Sequence, residues 1–384
     1  MYEADHGGSG LGQSDGIDAM NILFLTTHLN TGGITSYLLS LTRGLSQRNH
    51  NVIVASAGGN CESLLSSCGG KHFNLGFRTK SEADLRIYLN LGRLKQLIHH
   101  ENIDVIHAHT RVTQVMGYFL SAQTRKPLIT TCHGFFKPRF FRRIFPCWGN
   151  AVIAISQPVR KHLIQDFHVE AQKVHTIANG VDCTQFVVAT EAQKQQRRQQ
   201  WNIKAKIVLG IIARLSDVKG IDVLLHSLPR VIQKYPDLLL MIVGEGPEHD
   251  MLVALVDQLN LRTHVRFEKI INQTAELLPV FDVFVMPSRQ EGLGLSVMEA
   301  QACALPVVAS RVGGLVDLIE DAKTGFLVAP EYPLALADKI IEVLDNPAKA
   351  KQVGLTAREY MMEHFSSTQM VLATEKVYGQ YTGR

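Results

Sequence analysis

The sequence is poor in several signals that would place it quickly. Its 384 residues include six cysteines, at 61, 68, 132, 147, 183 and 303, with no C-x-x-C pair and no dense spacing. That excludes a disulfide-stapled scaffold and reads as reduced, mostly buried thiols in a cytoplasmic protein. No apolar run approaches the roughly 18–20 residues needed to span a bilayer. The opening "MYEADHGGSGLGQSDGIDAM" has neither a basic start nor an apolar core, so it is not a secretory signal. Residues 1–19 are expected to be a disordered extension, with the folded chain beginning at Met20. No G-x-G-x-x-G follows a strand-like run and no G-x-x-x-x-G-K-[ST] occurs, which weighs against dehydrogenases and P-loop enzymes. One stretch lacks acid altogether. Between Asp104 and Asp166 there is no Asp or Glu, against nine basic residues: Arg111, Arg125, Lys126, Lys137, Arg139, Arg142, Arg143, Arg160 and Lys161. Such an imbalance attracts an anionic partner.

What is present describes a two-domain α/β protein. The composition, 46% hydrophobic and 19% charged, fits a globular chain. Short apolar runs alternate with helical patterns. Strands are predicted at 21–27, 51–56, 104–109, 128–133 and 151–156, with a sixth at 174–179. Nearly continuous apolar strands between helices mean a parallel sheet covered on both faces. The segment "EAQKQQRRQQW" (Glu191–Trp201) has almost no apolar stripe and reads as a linker or an exposed helix. The pattern then restarts, with strands predicted at 207–215, 238–244, 265–270, 283–288 and 306–313. The expected division is a Rossmann-like domain over 20–186, a linker over 187–204, a second Rossmann-like domain over 205–364 and a terminal helix over 365–384. The two doubly wound domains would face each other across a cleft, a preferred place for small-molecule sites.

Four loops after strands carry the candidate chemistry. In "THLNTGGI", Gly32 and Gly33 can present backbone N–H groups at a helix start, an anion site, or form a plain tight turn. In "ARLSDVKG", Arg214 and Lys219 are placed to grip a diphosphate, or they lie on a solvated turn. In "VGEGPE", Gly244 and Glu245 follow a strand, where a turn is the simple reading. In "SRQEGLGLSVMEA" (Ser288–Ala300), Gly292 and Gly294 argue against one continuous helix. Glu291 therefore falls on a loop and Glu299 on the helix that follows. Glu299 could accept two hydrogen bonds from a ribose diol, and the Gly292–Leu293–Gly294–Leu295 backbone could donate to phosphate or sugar oxygens.

The run "PSRQEGLGLSVMEAQACALPVVASRVGGLVDLIEDAKTGFLV" (Pro287–Val328) resembles the signature region of the retaining glycosyltransferases of family 4, which have the GT-B fold. "ANGVD", "ARLSDVKGID", "VGEGPE", "TTHLNTGGIT" and "TTCHGFF" match the same family in order, so the resemblance covers roughly Met20 onward. It implies a nucleotide-sugar-dependent transferase that works without a metal or other cofactor. By its pattern Arg214 and Lys219 bind the donor diphosphate with the help of Gly33, Glu299 binds the ribose, Glu291 contacts the transferred sugar, and His133 sits near the reacting carbon. It also implies that the terminal helix crosses back onto the N-terminal domain, with hinges near 186–200 and 364–367. Asp317 stands where many members carry Glu, and Lys269 where Gly is usual, two departures from the pattern that bear on base recognition.

Two features remain outside that pattern. His107 and His109 in "HAHT" are expected on opposite faces of a strand, as poor metal ligands together. The segment "HGFFKPRFFRRIFPCWG" (His133–Gly149) interleaves aromatics with Lys137, Arg139, Arg142 and Arg143 around Phe140 and Phe141. It reads as an interfacial segment on an anionic membrane, or as a solvated helix with its aromatics turned inward. The membrane reading implies a peripheral protein with a lipid-linked glycan acceptor, as in envelope polysaccharide or lipopolysaccharide assembly, and no nucleic-acid partner. The rival classes are a catalytically silent scaffold on the same fold, or an epimerase or phosphorylase.

Overall fold

The computed structural model describes residues 18–79, 81–82, 84–137, 142, 144–269 and 274–383. Two all-parallel sheets organise it. The first contains β1 (Asn21–Leu25), β2 (Asn51–Ser56), β3 (Lys71–Asn74), β4 (Val105–Ala108), β5 (Leu128–Cys132), β6 (Ala151–Ala154) and β7 (Val174–Thr176). Their spatial order is β3-β2-β1-β4-β5-β6-β7. The second contains β8 (Ile207–Ile212), β9 (Leu238–Val243), β10 (Val265–Glu268), β11 (Val283–Met286), β12 (Val307–Ser310) and β13 (Phe326–Val328), ordered β10-β9-β8-β11-β12-β13. The central strands β4, β5, β6, β11 and β12 are buried at every residue, as sheets covered by helices on both faces require.

Most strands stop one to three residues short of the predicted ends, because the polar or glycine residues that follow already belong to the functional loops. Two edge strands were not predicted, one for want of an apolar run and one for its shortness. β3 reads "KHFN" with both ends exposed, and β13 is three residues long.

Of the two readings of Glu191–Trp201, the structure shows the exposed helix: it spans Glu191–Gln200, and Arg198 is its one buried residue. It docks by charge. The buried Arg198 guanidinium bonds Asp282 at 2.6 Å and the Val280 carbonyl at 2.9 Å, and Lys194 reaches the same aspartate at 2.6 Å. Fully bonded buried charges hold firmly here, since removing either partner would strand the other.

The terminal helix, Ser367–Thr382, returns to the first domain and packs along helix Gly33–Gln47. A Cβ at Gly44 would lie 2.3 Å from Val371 Cγ2, so glycine is what allows the two helices to approach. Met370, Val371, Val377 and Tyr378 complete the core on that face of the first sheet. Glu375 receives the Arg48 guanidinium and His50 Nε2 (2.8 Å). The two crossings between domains touch: Val181 N donates to Phe365 O and Ser367 N to Val181 O.

Candidate active site

Strand order reverses between β1 and β4 in the first sheet, and between β8 and β11 in the second. Such switch points are where open α/β sheets hold ligands, beyond the carboxyl ends of the strands. The loops after β1, β5, β8 and β11 carry the predicted residues.

Beyond β8, Arg214 is exposed and has no hydrogen-bond or ion-pair partner among the described residues. Lys219, five residues on, is ion-paired to Glu291 from the β11 loop. Ser288 Oγ also donates to that carboxylate, at 3.3 Å. Both charged side chains are mostly buried, which strengthens their attraction relative to a surface pair.

Arg289 staples the two loops together. Its amide donates to Val218 O at 2.9 Å, its Nη1 to Asp217 O at 2.8 Å, and its fork grips Asp222 at 2.8 and 2.6 Å. Gly313, at φ +48°, lies beneath the Glu291 carbonyl, where a Cβ would come within 2.0 Å of that oxygen. Gly314 N then donates to the same oxygen at 2.9 Å. Glu291 is thus held by its backbone as well as by its carboxylate.

Helix Leu295–Ala302 opens at Gly294 with no side-chain cap and no acid in its first turn. The amides of Gly292, Leu293 and Leu295 have no acceptor among the described residues. Helix Gly33–Gln47 opens in the same way, uncapped and without acid. Here the surrounding space is informative, because a Cβ on Gly32, Gly33 or Gly134 would meet nothing within 4 Å. Two uncapped helix starts with free N–H groups and a nearby lysine suit an anion.

The domains meet at this point. A Cβ on Gly292 would lie 2.8 Å from the His133 carbonyl and 3.1 Å from Gly134 Cα. The Tyr37 ring, one turn into helix Gly33–Gln47, stands edge-on to His133 with centroids 5.0 Å apart. Across the same gap Asp317 Oδ2 accepts the Gln157 amide at 2.7 Å, at the start of helix Gln157–Phe167. Burial raises the Asp317 carboxyl above its usual range, against this bond and the pull of Lys161.

His133 belongs to a buried cluster that corrects one expectation. Residues two apart on a strand share a face, so His107 and His109 do not part. Their ring centroids are 4.1 Å apart. His107 bonds Tyr378 Oη at 2.6 Å and Thr131 Oγ1 at 2.7 Å, while His109 Nδ1 is 3.4 Å from His133 Nε2. Burial lowers all three, with His133 at about 3, so the imidazole facing the cleft is neutral. Among the described residues no group of three or more His, Cys, Asp or Glu is arranged to hold a metal.

Glu299 accepts Thr274 Oγ1 at 2.9 Å. Burial pushes its carboxyl up to about 7, with the threonine bond pulling the other way. Gly244 and Glu245 follow β9. The Gly244 amide is already bonded to Glu268 O at 2.9 Å, and a Cβ there would lie 1.9 Å from Ala213 O. The Glu245 carbonyl accepts Leu215 N while its side chain is exposed.

In the basic–aromatic segment Lys137 is exposed, and the Arg142 guanidinium lies over the Phe136 ring at 4.5 Å. Arg139, Phe140, Phe141 and Arg143 lie outside the described residues. Among the described residues no helix is long and apolar enough to cross a membrane. Sequence reasoning gave no role to Arg289 or Asp222. An arginine beside the glutamate loop and an aspartate just after the lysine loop were the available signal.

Two Rossmann-like domains with an anion-ready site between them define the GT-B architecture. The chain belongs to the group 1, family 4 glycosyltransferases: the family model described as glycosyl transferases group 1 matches residues 193–360, and that for glycosyltransferase family 4 matches residues 31–185. It is similar to the D-inositol 3-phosphate glycosyltransferase of Corynebacterium diphtheriae, with 27% identity over 92% of this chain and 90% of that one. A GDP-mannose-dependent alpha-(1-6)-phosphatidylinositol monomannoside mannosyltransferase of Mycolicibacterium smegmatis is 31% identical over 56% of this chain and 59% of its own. In fold it matches HepE of Anabaena, solved with UDP and glucose, at a TM-score of 0.83. That match has 24% identity and covers 94% of this chain and 100% of the other.

Proposed function

We propose that the protein is a retaining, metal-independent hexosyl- or hexosaminyltransferase. Its donor is a nucleotide diphosphate sugar, UDP-linked by preference and GDP-linked as the alternative. Its acceptor is a lipid-linked glycan of envelope polysaccharide or lipopolysaccharide assembly. The observation that carries this reading is the Lys219–Glu291 pair, set at the uncapped start of helix Leu295–Ala302 where Gly292 meets His133.

In the reaction, Arg214, Lys219 and the free amides of Gly33 and Gly292–Leu295 take up the diphosphate. Negative charge grows there as the glycosidic bond breaks, so donors fixed in advance stabilise the transition state more than the ground state. Glu299, at the far end of the same helix turns, accepts the ribose hydroxyls. Glu291 lies between and holds hydroxyls of the sugar, with Lys219 shared between it and the leaving phosphate. Neutral His133 offers a hydrogen bond to the sugar without adding a competing cation. The acceptor hydroxyl approaches from the side of the leaving group and gives its proton to the departing phosphate oxygen, which preserves the anomeric configuration.

The relatives are associated with different nucleotide sugars. The mycobacterial enzyme is named for GDP-mannose and a phosphatidylinositol glycolipid, while HepE was also solved with UDP-glucose. A lipid-linked acceptor accords with the first and with the basic character of the N-terminal domain. The test is nucleotide release from a panel of UDP-, GDP- and ADP-sugars, with and without EDTA and with a Glu291→Gln control. Release from one donor, insensitive to EDTA and lost in the control, is expected. Saturable binding of no donor would overturn the proposal, and loss of release on chelation would overturn its metal-independent part.

A further inference from the structure

Outside the cleft, large apolar side chains gather on one face of the N-terminal domain. Leu85 and Leu89 are 74% and 77% exposed, one turn apart on helix Leu85–Leu89, with Tyr88 beside them. The Tyr88 ring meets Phe119 of helix Arg111–Thr124 at 5.6 Å between centroids. Exposed Tyr118 meets Phe145 at 5.1 Å, and Ile144 next to it is 65% exposed. These are not loose ends. Arg111 donates to the carbonyls of Phe145 (2.7 Å) and Pro146 (2.6 Å), and Gln114 also donates to Pro146, at 3.0 Å, so the Phe145 segment is fixed to the helix. A contiguous apolar face on a globular protein marks an interaction surface.

The charge around it selects the partner. The nearby acids Glu82 and Asp84 are ion-paired to Arg111 and Arg86. Arg125, the left-handed residue that ends helix Arg111–Thr124, is exposed, as are Lys95 and Lys137. No acid occurs from 105 to 165 to balance them. A second copy would set like charge against like charge across a two-fold contact, and a neutral lipid surface would leave the cations without partners. Leucines and tyrosines at headgroup depth with basic residues around them match an anionic bilayer.

We infer that the face formed by Leu85, Tyr88, Leu89, Tyr118, Ile144 and Phe145 docks on an anionic membrane surface. Its position deepens the acceptor reading above. Helix Arg111–Thr124 starts where β4 ends, and a recess lined by Thr27, Phe77, Thr79 and Met116 opens at that carboxyl edge. Arg86, on the docking helix, lies over the Phe77 ring at 5.5 Å. A bilayer on this face would therefore lie beside the carboxyl edge of the first sheet, the edge that carries the loops of the site.

The test is co-sedimentation of the full chain with phosphatidylglycerol-containing vesicles and with pure phosphatidylcholine vesicles, for wild type and for the double variant Leu85→Ser, Leu89→Ser. Both leucines are exposed, so nucleotide release from a soluble donor should stay unchanged and report an intact fold. Wild type should bind the anionic vesicles alone, more weakly as salt rises, and the double variant should lose roughly tenfold or more in partition. Equal sedimentation of the variant, or no binding by wild type, would overturn the inference. A dimer in analytical ultracentrifugation that the variant dissolves, without vesicle binding, would assign the face to self-association instead. Vesicle binding with no turnover of any donor would leave this surface standing and refute the proposed reaction alone.

Discussion

Glu299 allows the proposed donor site to be tested through protons rather than through products. Burial raises its carboxyl from 4.5 to about 7. The folded protein therefore binds an extra proton between those values that the unfolded chain does not. Stability is greatest at the low end of this window, falls as pH rises through it, and is constant above about 7. The ionised, empty site should cost the folded state roughly 3 kcal/mol at pH 8. Glu299→Gln should accordingly raise the melting temperature of the ligand-free protein at pH 8, with the gain vanishing towards pH 4.5. A ribose diol reverses the sense, since two hydroxyl donors favour the carboxylate and return its pKa towards the ordinary value. Binding the intact nucleotide diphosphate sugar, whose phosphates are already fully ionised at pH 6, should then release about 0.9 of a proton there, and at pH 8 only about 0.1. The nucleotide should bind roughly tenfold more weakly at pH 6 than at pH 8. Calorimetric titrations in buffers of different ionisation enthalpy read that proton number directly. Binding enthalpies at pH 6 that do not depend on the buffer, or a proton release that survives in Glu299→Gln, would remove Glu299 from the ribose.

Other residues give sharper yes-or-no outcomes. Arg214→Ala and Lys219→Ala should each lower kcat by about 10²–10³, and the double variant should be inactive by nucleotide release; retained turnover would refute the diphosphate assignment. Gly33→Ala enters open space at a helix start, so its melting temperature should hold while donor affinity falls. Gly313→Ala should instead destabilise the protein by about 1–3 kcal/mol, because φ is +48° and the Glu291 carbonyl occupies the space. Asp317→Ala removes the acceptor for Gln157 N at a helix start, which should cost about 1 kcal/mol; solution scattering should also show a more open pair of domains.

The parts of this architecture that were legible were those written locally. Runs such as "NVIVAS" and "VFVM" announce buried strands, and the glycines and charges directly after them announce loops at the carboxyl edge. The edge strand "KHFN" was not legible, because its pairing comes from β2 and three of its four residues are polar. Helix Glu191–Gln200 was ambiguous because its anchor is one buried arginine finding an aspartate far along the chain. The same limit hid the Arg289 staple, whose partners lie on the loop and helix start that follow another strand. The two histidines of "HAHT" were a different failure: the strand period places them on one face, and Tyr378 from the terminal helix occupies the space beside them.

That terminal helix has a consequence for how the protein comes to be made. Residues 367–382 leave the ribosome after everything they pack upon. Until they emerge, the first domain has an open flank: the groove at Gly44 lacks Val371, His107 lacks Tyr378, and Arg48 and His50 lack Glu375. The second domain, although synthesised later, needs none of these contacts and can close first. Vectorial synthesis ordinarily favours completing domains from the N-terminus; here the domain begun first is finished last. A released chain truncated just before residue 367 would leave an apolar helix face of its first domain open to chaperones, while its second domain keeps the helices it packs with.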